Sequence, residues 1–180
     1  MGHSGVTIQL RTPALDDAPA LSDLVVRNRD HFRSGEPLRP ADYYSLENQE
    51  RFIAQALQAG KAGSGHMFLI EEDGVLVGRA SLNSVIRGAF QSASVGYAVD
   101  GSHSGRGIAT AALLALIDIA FGELHLHRLQ GETLMENWAS QTVMERCGFS
   151  RYGTAQNYLK IDGQWRDHHL YQLISEKWAD

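Results

Sequence analysis

The stretch that decides the fold is Val95-Gly-Tyr-Ala-Val-Asp-Gly-Ser-His-Ser-Gly-Arg-Gly-Ile-Ala-Thr-Ala-Ala-Leu-Leu114. Its start alternates, with Val95, Tyr97 and Val99 on one face, as a strand does. A Gly/Ser-rich turn, Gly101 to Gly107, then opens directly onto an apolar helical run from Ile108. Such a turn leaves the first backbone N–H groups of the helix without intrahelical partners, at the positive end of its dipole. That arrangement suits a phosphate or pyrophosphate. Gly105 and Gly107 carry no Cβ to hold an anion off the backbone. A Walker loop does not fit, because no Gly-Lys-Ser/Thr follows the turn. A Rossmann fingerprint does not fit either: the G-x-G-x-x-G spacing is missing, and the strand is not the first of a βαβ unit. For the segment taken alone, a turn that merely ends a strand is the simpler alternative.

Outward from this stretch, Val6 to Thr12 alternates and Pro13 stops it. Asp16 or Asp17 caps a helix with Leu21, Leu24 and Val25 on one face. Asn28 to Pro40, with Gly35, Pro37 and Pro40, reads as a loop. A second helix starts near Asp42 and ends at Gly60. Met67 to Ile70 and Val75 to Gly78 flank Asp73-Gly74, a hairpin signal. After the apolar helix come a strand over Leu126–Met135 and a short helix over Ala139–Arg146. A second hairpin follows, with Asn157–Ile161 and Gln164–Leu173 flanking Asp162-Gly163. The order predicts an α+β (α/β) fold, one domain over residues 1–180, with a mixed, mostly antiparallel sheet of about seven strands and about four helices.

The chain has 180 residues, 43% hydrophobic and 21% charged, enough to bury a core without staples. With one cysteine, Cys147, an intramolecular disulfide is impossible, which suits a reducing cytoplasm. Cys147 is expected to be a small buried apolar residue. The net charge of −5 excludes a general nucleic-acid binder. Met1 to Arg11 lacks the pattern of a signal peptide, and His3 is given no role. Ile108 to Phe121 is too short to cross a bilayer and contains Asp118, so no membrane partner is expected. The eight histidines show no ligand spacing, and no metal is expected.

Ser104-Gly105-Arg106-Gly107-Ile108-Ala109 resembles motif A of the GCN5-related N-acetyltransferases, whose pattern is Gln/Arg-x-x-Gly-x-Gly/Ala. Gly107 and Ala109 match it, whereas Ser104 stands where the family has Gln or Arg. Asn137-Trp138-Ala139-Ser140 followed by Gly148-Phe149 is similar to the family's second signature, N-x-x-S then Gly-Phe. Read from the residues alone, Asn137 and Ser140 are helix-capping types. The resemblance implies that acetyl-coenzyme A is the cosubstrate, its pyrophosphate on the N–H groups of Gly105, Arg106, Gly107, Ile108, Ala109 and Thr110. Val99, Asn137, Ser140 and Arg146 complete the implied coenzyme set, with Asn137 on the pantetheine arm. Ser140 lies near the sulfur, where a hydroxyl can act as general acid.

A narrower likeness is to the RimJ/RimL-type ribosomal-protein N-terminal acetyltransferases, RimJ especially. It rests on Asn83 to Phe90, Gly96-Tyr97, His125 with His127-Arg128, and Tyr158 to His168, within a likeness running from about Leu10 to Trp178. It implies direct attack by a protein α-amine, with no acyl-enzyme, so Cys147 is not nominated as a nucleophile. Strand N–H groups near Tyr97 to Val99 would polarise the thioester carbonyl. Relatives place a base on the strand before Gly-Tyr, where this chain has Ser94, or in the final hairpin, where it has Leu159. Glu132 and Asp100 are the remaining carboxylates, with His168 as an outsider; Glu132 acting through water is chosen. The acceptor would enter between the Asn28–Pro40 loop and the last hairpin, near Arg29, His31, Phe32, Asn83, Tyr158, Trp165 and His168. The acceptor is expected to be a protein N-terminus, such as that of a ribosomal protein. The alternatives are a small-molecule amine, or coenzyme A binding without turnover. A homodimer is compatible with the sequence.

Overall fold

Asp73-Gly74 and Asp162-Gly163 have positive φ at both residues, 51° and 77° in the first pair and 45° and 81° in the second. A two-residue type I′ hairpin turn demands that conformation, and Asp-Gly adopts it at little cost. In the computed structural model, which describes residues 7–176, these turns join β2 (His66–Glu72) to β3 (Val75–Ile86) and β6 (Ser150–Ile161) to β7 (Gln164–Ile174). With β1 (Ile8–Arg11), β4 (Ser92–Val99) and β5 (Arg128–Leu134), they form one seven-stranded sheet in the order β1-β2-β3-β4-β5-β7-β6. All neighbours are antiparallel except β4 and β5. This is the mixed sheet expected from the sequence.

Helices cover both faces. On one side lie α1 (Ala18–Arg27), α2 (Arg29–Arg33) and α3 (Leu46–Ala62); on the other lie α4 (Ile108–Asp118) and α5 (Trp138–Arg146). Each side has its own core. Leu113 and Leu116 of α4 and Met144 of α5 pack on Ala93, Val95 and Leu129, while Leu21, Leu24 and Ile53 of α1 and α3 pack on Met67 and Leu69. Strand alternation therefore decides which site residues face which side.

Several boundaries differ from the sequence reading. Val6, at the start of the expected first strand, and His3 lie outside the described residues. The Asn28–Pro40 segment is not all loop, because α2 occupies Arg29–Arg33 and buries Phe32. The second long helix starts at Leu46, where the Ser45 hydroxyl accepts from the Asn48 amide at 3.3 Å, and stops at Gly63, which takes the left-handed φ of 68° that Gly60 does not. Strand β3 runs eight residues past Gly78, and β6 starts seven before Asn157. Cys147 is buried, as its type suggests.

Candidate active site

Strands β4 and β5 pair only from Ser92–Ser94 to Arg128–Gln130 and then separate. The Asp100 amide donates to the Val77 carbonyl at 2.8 Å, on the β3 side. Backbone alternation then aims the amides of Tyr97 and Val99 at the opposite edge, into the gap that β5 has left. A sheet that opens in this way offers strand-type donors and acceptors to a ligand where the β4–β5 ladder stops.

The glycine turn stands at the open end of this gap. Gly105 and Gly107 have φ of 76° and 85°, and Gly107 is the N-cap of α4. The first backbone bond of the helix is Ala111 N to Gly107 O, at 3.0 Å. The amides of Ile108, Ala109 and Thr110 precede it and are the orphan donors of the first turn. A Cβ built on Gly105 or Gly107 meets nothing within 4 Å. Both glycines thus open onto free space beside three orphan amides, and the residues present fit a bound pyrophosphate. The Arg106 side chain turns away: its Nη2 donates to Glu72 Oε1 at 2.8 Å, which leaves its backbone to the turn. Ile108 is core.

The second signature lies beside the first. Cys147 Sγ sits 3.6 Å from the Thr110 carbonyl, joining the end of α5 to the first turn of α4, and Arg146 is exposed next to it. Asn137 caps α5, its Oδ1 accepting from the Ser140 amide at 3.1 Å. The cap engages Oδ1 and does not require Nδ2. Ser140 Oγ lies 2.8 Å from the Tyr97 hydroxyl, so a β4 side chain and an α5 side chain meet across the gap. Burial pushes the Tyr97 phenol up to about 12, against the opposing bond from Ser140, so it stays protonated at neutral pH. Sequence reasoning had used Tyr97 only for its backbone. Its position between Val95 and Val99 on the α4–α5 face was the available signal.

The other face of the same strands carries the second group. Ser94, Asn83 and Glu132 point toward α1–α3. Asn83 is opposite Ser94 in register, and Ser94 Oγ donates to Glu132 at 3.1 and 3.2 Å. Ser94, at the place where the resemblance leads a base to be expected, thus holds a carboxylate supplied by the neighbouring strand. Burial raises the Glu132 carboxyl above its ordinary range, with the Ser94 bond pulling the other way. Tyr158 lies near enough to Glu132 for its phenol to feel the charge, though burial is the larger cause of its own rise. Its ring is 5.7 Å from that of His168, which is buried with Nδ1 3.0 Å from the Arg166 carbonyl.

Asp100 belongs to neither group. It is bonded by Arg27 Nε at 2.7 Å and by the Ser102 amide and hydroxyl. Burial works against ionisation, but these donors win and hold the carboxyl down at about 2. That excludes it as a base near neutrality. Of the expected acceptor residues, Phe32 is largely core, Arg29 stacks on Tyr44, and His31 packs on Gly101. Trp165 is 60% exposed at the hairpin tip. The Asn28–Pro40 segment and the hairpin do meet. Arg33 Nε binds Asp162 at 2.6 Å, and the Asp162 amide donates to the Glu36 carbonyl at 3.0 Å. The groove between them is therefore bridged rather than open. Among the described residues no cluster has metal-ligand geometry, and no helix is long and apolar enough to cross a membrane.

A sheet split at its parallel pair, with an anion-binding turn at the mouth, is the architecture of a coenzyme A-dependent acyltransferase, and the chain belongs to the acetyltransferase (GNAT) family, whose domain matches residues 7–150. Its relatives include the Bacillus subtilis (strain 168) protein named probable N-acetyltransferase YjcK, 36% identical over 95% of this chain and 96% of that protein. The [ribosomal protein uS5]-alanine N-acetyltransferase of Escherichia coli (strain K12) is 30% identical over 91% of this chain and 85% of that protein. Among solved structures, Mycobacterium smegmatis RimJ in complex with CoA-disulfide superposes with a TM-score of 0.91 at 32% identity, covering 96% of this chain and 84% of that one.

Proposed function

We propose that this chain is an acetyl-coenzyme A-dependent N-acetyltransferase acting on the N-terminal α-amine of a protein, of the ribosomal-protein alanine or serine type. The observation that carries this reading is the two-sided gap. The coenzyme-type donors of the Gly105–Thr110 turn, Tyr97 and Ser140 lie on one face, and Glu132 with Ser94 lies on the other. The likeness to the uS5-alanine enzyme and to RimJ supports the acceptor class.

When bound, acetyl-coenzyme A supplies an activated thioester. The Ile108, Ala109 and Thr110 amides hold its pyrophosphate, and Asn137 Nδ2 reaches the pantetheine arm. The Tyr97 and Val99 amides, free on the gap side, stabilise charge that develops on the acyl oxygen. Glu132 takes the proton of the incoming amine through a water, for which a carboxyl raised by burial is better matched than an ordinary one. The hydroxyl pair of Tyr97 and Ser140 returns a proton to the departing sulfur. The new bond is N–C and the bond broken is C–S; nitrogen loses one proton to Glu132 through water, sulfur gains one from the hydroxyl pair, and exchange with solvent returns Glu132 and the pair to their starting states.

The test is steady-state release of coenzyme A with Ala- and Ser-starting peptides against free amines. Turnover with peptides at kcat/KM well above that for free amines is expected. Turnover with free amines alone would replace the acceptor by a small molecule. Coenzyme binding without turnover of anything would make the chain a binding protein.

A further inference from the structure

On the α1–α3 side a pocket opens between the Arg29–Tyr44 segment and β3, and four guanidinium groups enter its wall: Arg29, Arg33, Arg39 and Arg79. Glu36 pairs with Arg79 and, at 3.4 Å, with Arg39; Asp162 takes Arg33. Arg29 and Arg39 lie over the rings of Tyr44 and Tyr43, with Cζ 4.7 and 4.6 Å from the centroids. Even with Asp30 counted beside Arg33, four positive charges face three negative ones, on a chain whose net charge is −5. Among the described residues Arg29 has only a ring for a partner, and Arg39 shares Glu36 with Arg79 at long range. Their forked donors match a carboxylate.

The pocket shares one face of β3 with the candidate base, because Arg79 lines it. Arg79, Ser81 and Asn83 alternate onto one face of β3, where Arg79 is opposite Ala98 and Asn83 opposite Ser94. Asn83, opposite the Ser94 that holds Glu132, lies four β3 residues from Arg79, or about 13 Å at strand rise. An extended peptide covers that distance in about four residues. The Arg33–Asp162 and Asp162–Glu36 contacts tie the tip of the last hairpin to the wall of the pocket.

We propose that this pocket selects acceptors by receiving an acidic side chain located roughly three to five residues behind the acetylated amine. The inference rests on the α-amine reading above. Arg29 and Arg39 are the specificity residues, and Arg79 with Glu36 forms the fixed floor beneath them.

The experiment uses Ala-starting fluorescent peptides in which a single Glu, or a Gln in its place, is moved through positions two to seven. Binding to enzyme saturated with coenzyme A is read by anisotropy, and acetylation by coenzyme A release. At one position the Glu peptide should bind about tenfold tighter than its Gln partner, with KM moving in parallel and the gap narrowing in salt. In the Arg29→Gln/Arg39→Gln double variant that preference should fall below twofold; both side chains are at the surface rim, and the peptide substitution itself needs no variant. Glu and Gln peptides within twofold at every position, or a preference surviving in the double variant, would overturn the proposal. Equal acetylation of both peptides would sink the pocket and spare the α-amine reading. A Glu preference in binding with neither peptide acetylated would sink the α-amine reading and spare the pocket. Free glutamate or inorganic phosphate competing as well as the peptide would reassign the site to a small anion.

Discussion

Replacing Glu132 with Gln keeps the shape of the side chain and a hydrogen bond to Ser94, and removes only the proton acceptor. A positioned general base contributes about 10²–10⁴-fold, and one working through water belongs at the low end, so kcat at pH 7 should fall about 100-fold, or ~2.7 kcal/mol. The deficit should depend on pH. An α-amine with a pKa near 8 is roughly one-tenth neutral at pH 7 and nine-tenths neutral at pH 9, so solvent progressively replaces the base and the deficit should shrink below about tenfold. The wild-type kcat should also show an acidic limb above the ordinary carboxylate range, because burial raises the Glu132 carboxyl, and the variant should lack it. Stability should move in the opposite sense. A carboxyl whose folded pKa lies above its unfolded value binds more protons in the folded state, so it costs stability as pH rises through that interval. Glu132→Gln should therefore melt no lower than wild type at pH 8, with any gain vanishing in acid. Stopped-flow or steady-state kcat from pH 5.5 to 9.5, with calorimetry on the same preparations, reads both effects. An unchanged kcat, or a deficit independent of pH, would refute the assignment.

Gly107→Ala forces a Cβ onto a residue with φ of 85° and into the free space beside the α4 amides; stability should fall by about 1–2 kcal/mol and coenzyme A affinity at least about tenfold by titration calorimetry. Tyr97→Phe and Ser140→Ala each break the same 2.8 Å contact. Each should lower kcat about tenfold, and the double variant should be little worse than either single one, since the two act as a unit. Asp100 has a folded pKa of about 2 against a reference of 3.8, which corresponds to about 2 kcal/mol present above the unfolded pKa and lost as pH falls toward 2. Asp100→Asn should therefore lower urea stability by about that amount at pH 7, and the difference should disappear between pH 4 and 2.

The glycine turn and the Asn137 cap proposed for the coenzyme are legible in the sequence because local geometry makes them. A strand, two glycines with positive φ and a helix start are contiguous in the chain, and the Asn137 cap with its Ser140 partner spans four residues. The two Asp-Gly hairpins were legible for the same reason. The acceptor half is assembled from β3, β4, β5, α2 and the β6–β7 hairpin, and its decisive contacts join residues far apart in sequence. Ser94 reads in the sequence as the loss of a base, and only the folded side chains show that it bonds Glu132 across the parallel pair, two residues past its register partner Gln130. Asp100 looked like an available carboxylate, and only the fold brings Arg27 onto it. The hairpin signal carries the third strand only to Gly78, short of Arg79, although Arg79-Ala80-Ser81-Leu82-Asn83 alternates as a strand should. The glycine turn reads from spacing; the arginine pocket needs the third dimension.

The central claim is that the transferred acetyl group ends on an α-amine. It is tested most directly by incubating the protein with acetyl-coenzyme A and an Ala-starting peptide that also contains an internal Lys, then locating the acetyl group by tandem mass spectrometry. The account predicts acetylation of residue one alone, abolished when that amine is blocked. Acetyl on the lysine, or an unmodified peptide beside turnover of free small amines, would contradict it.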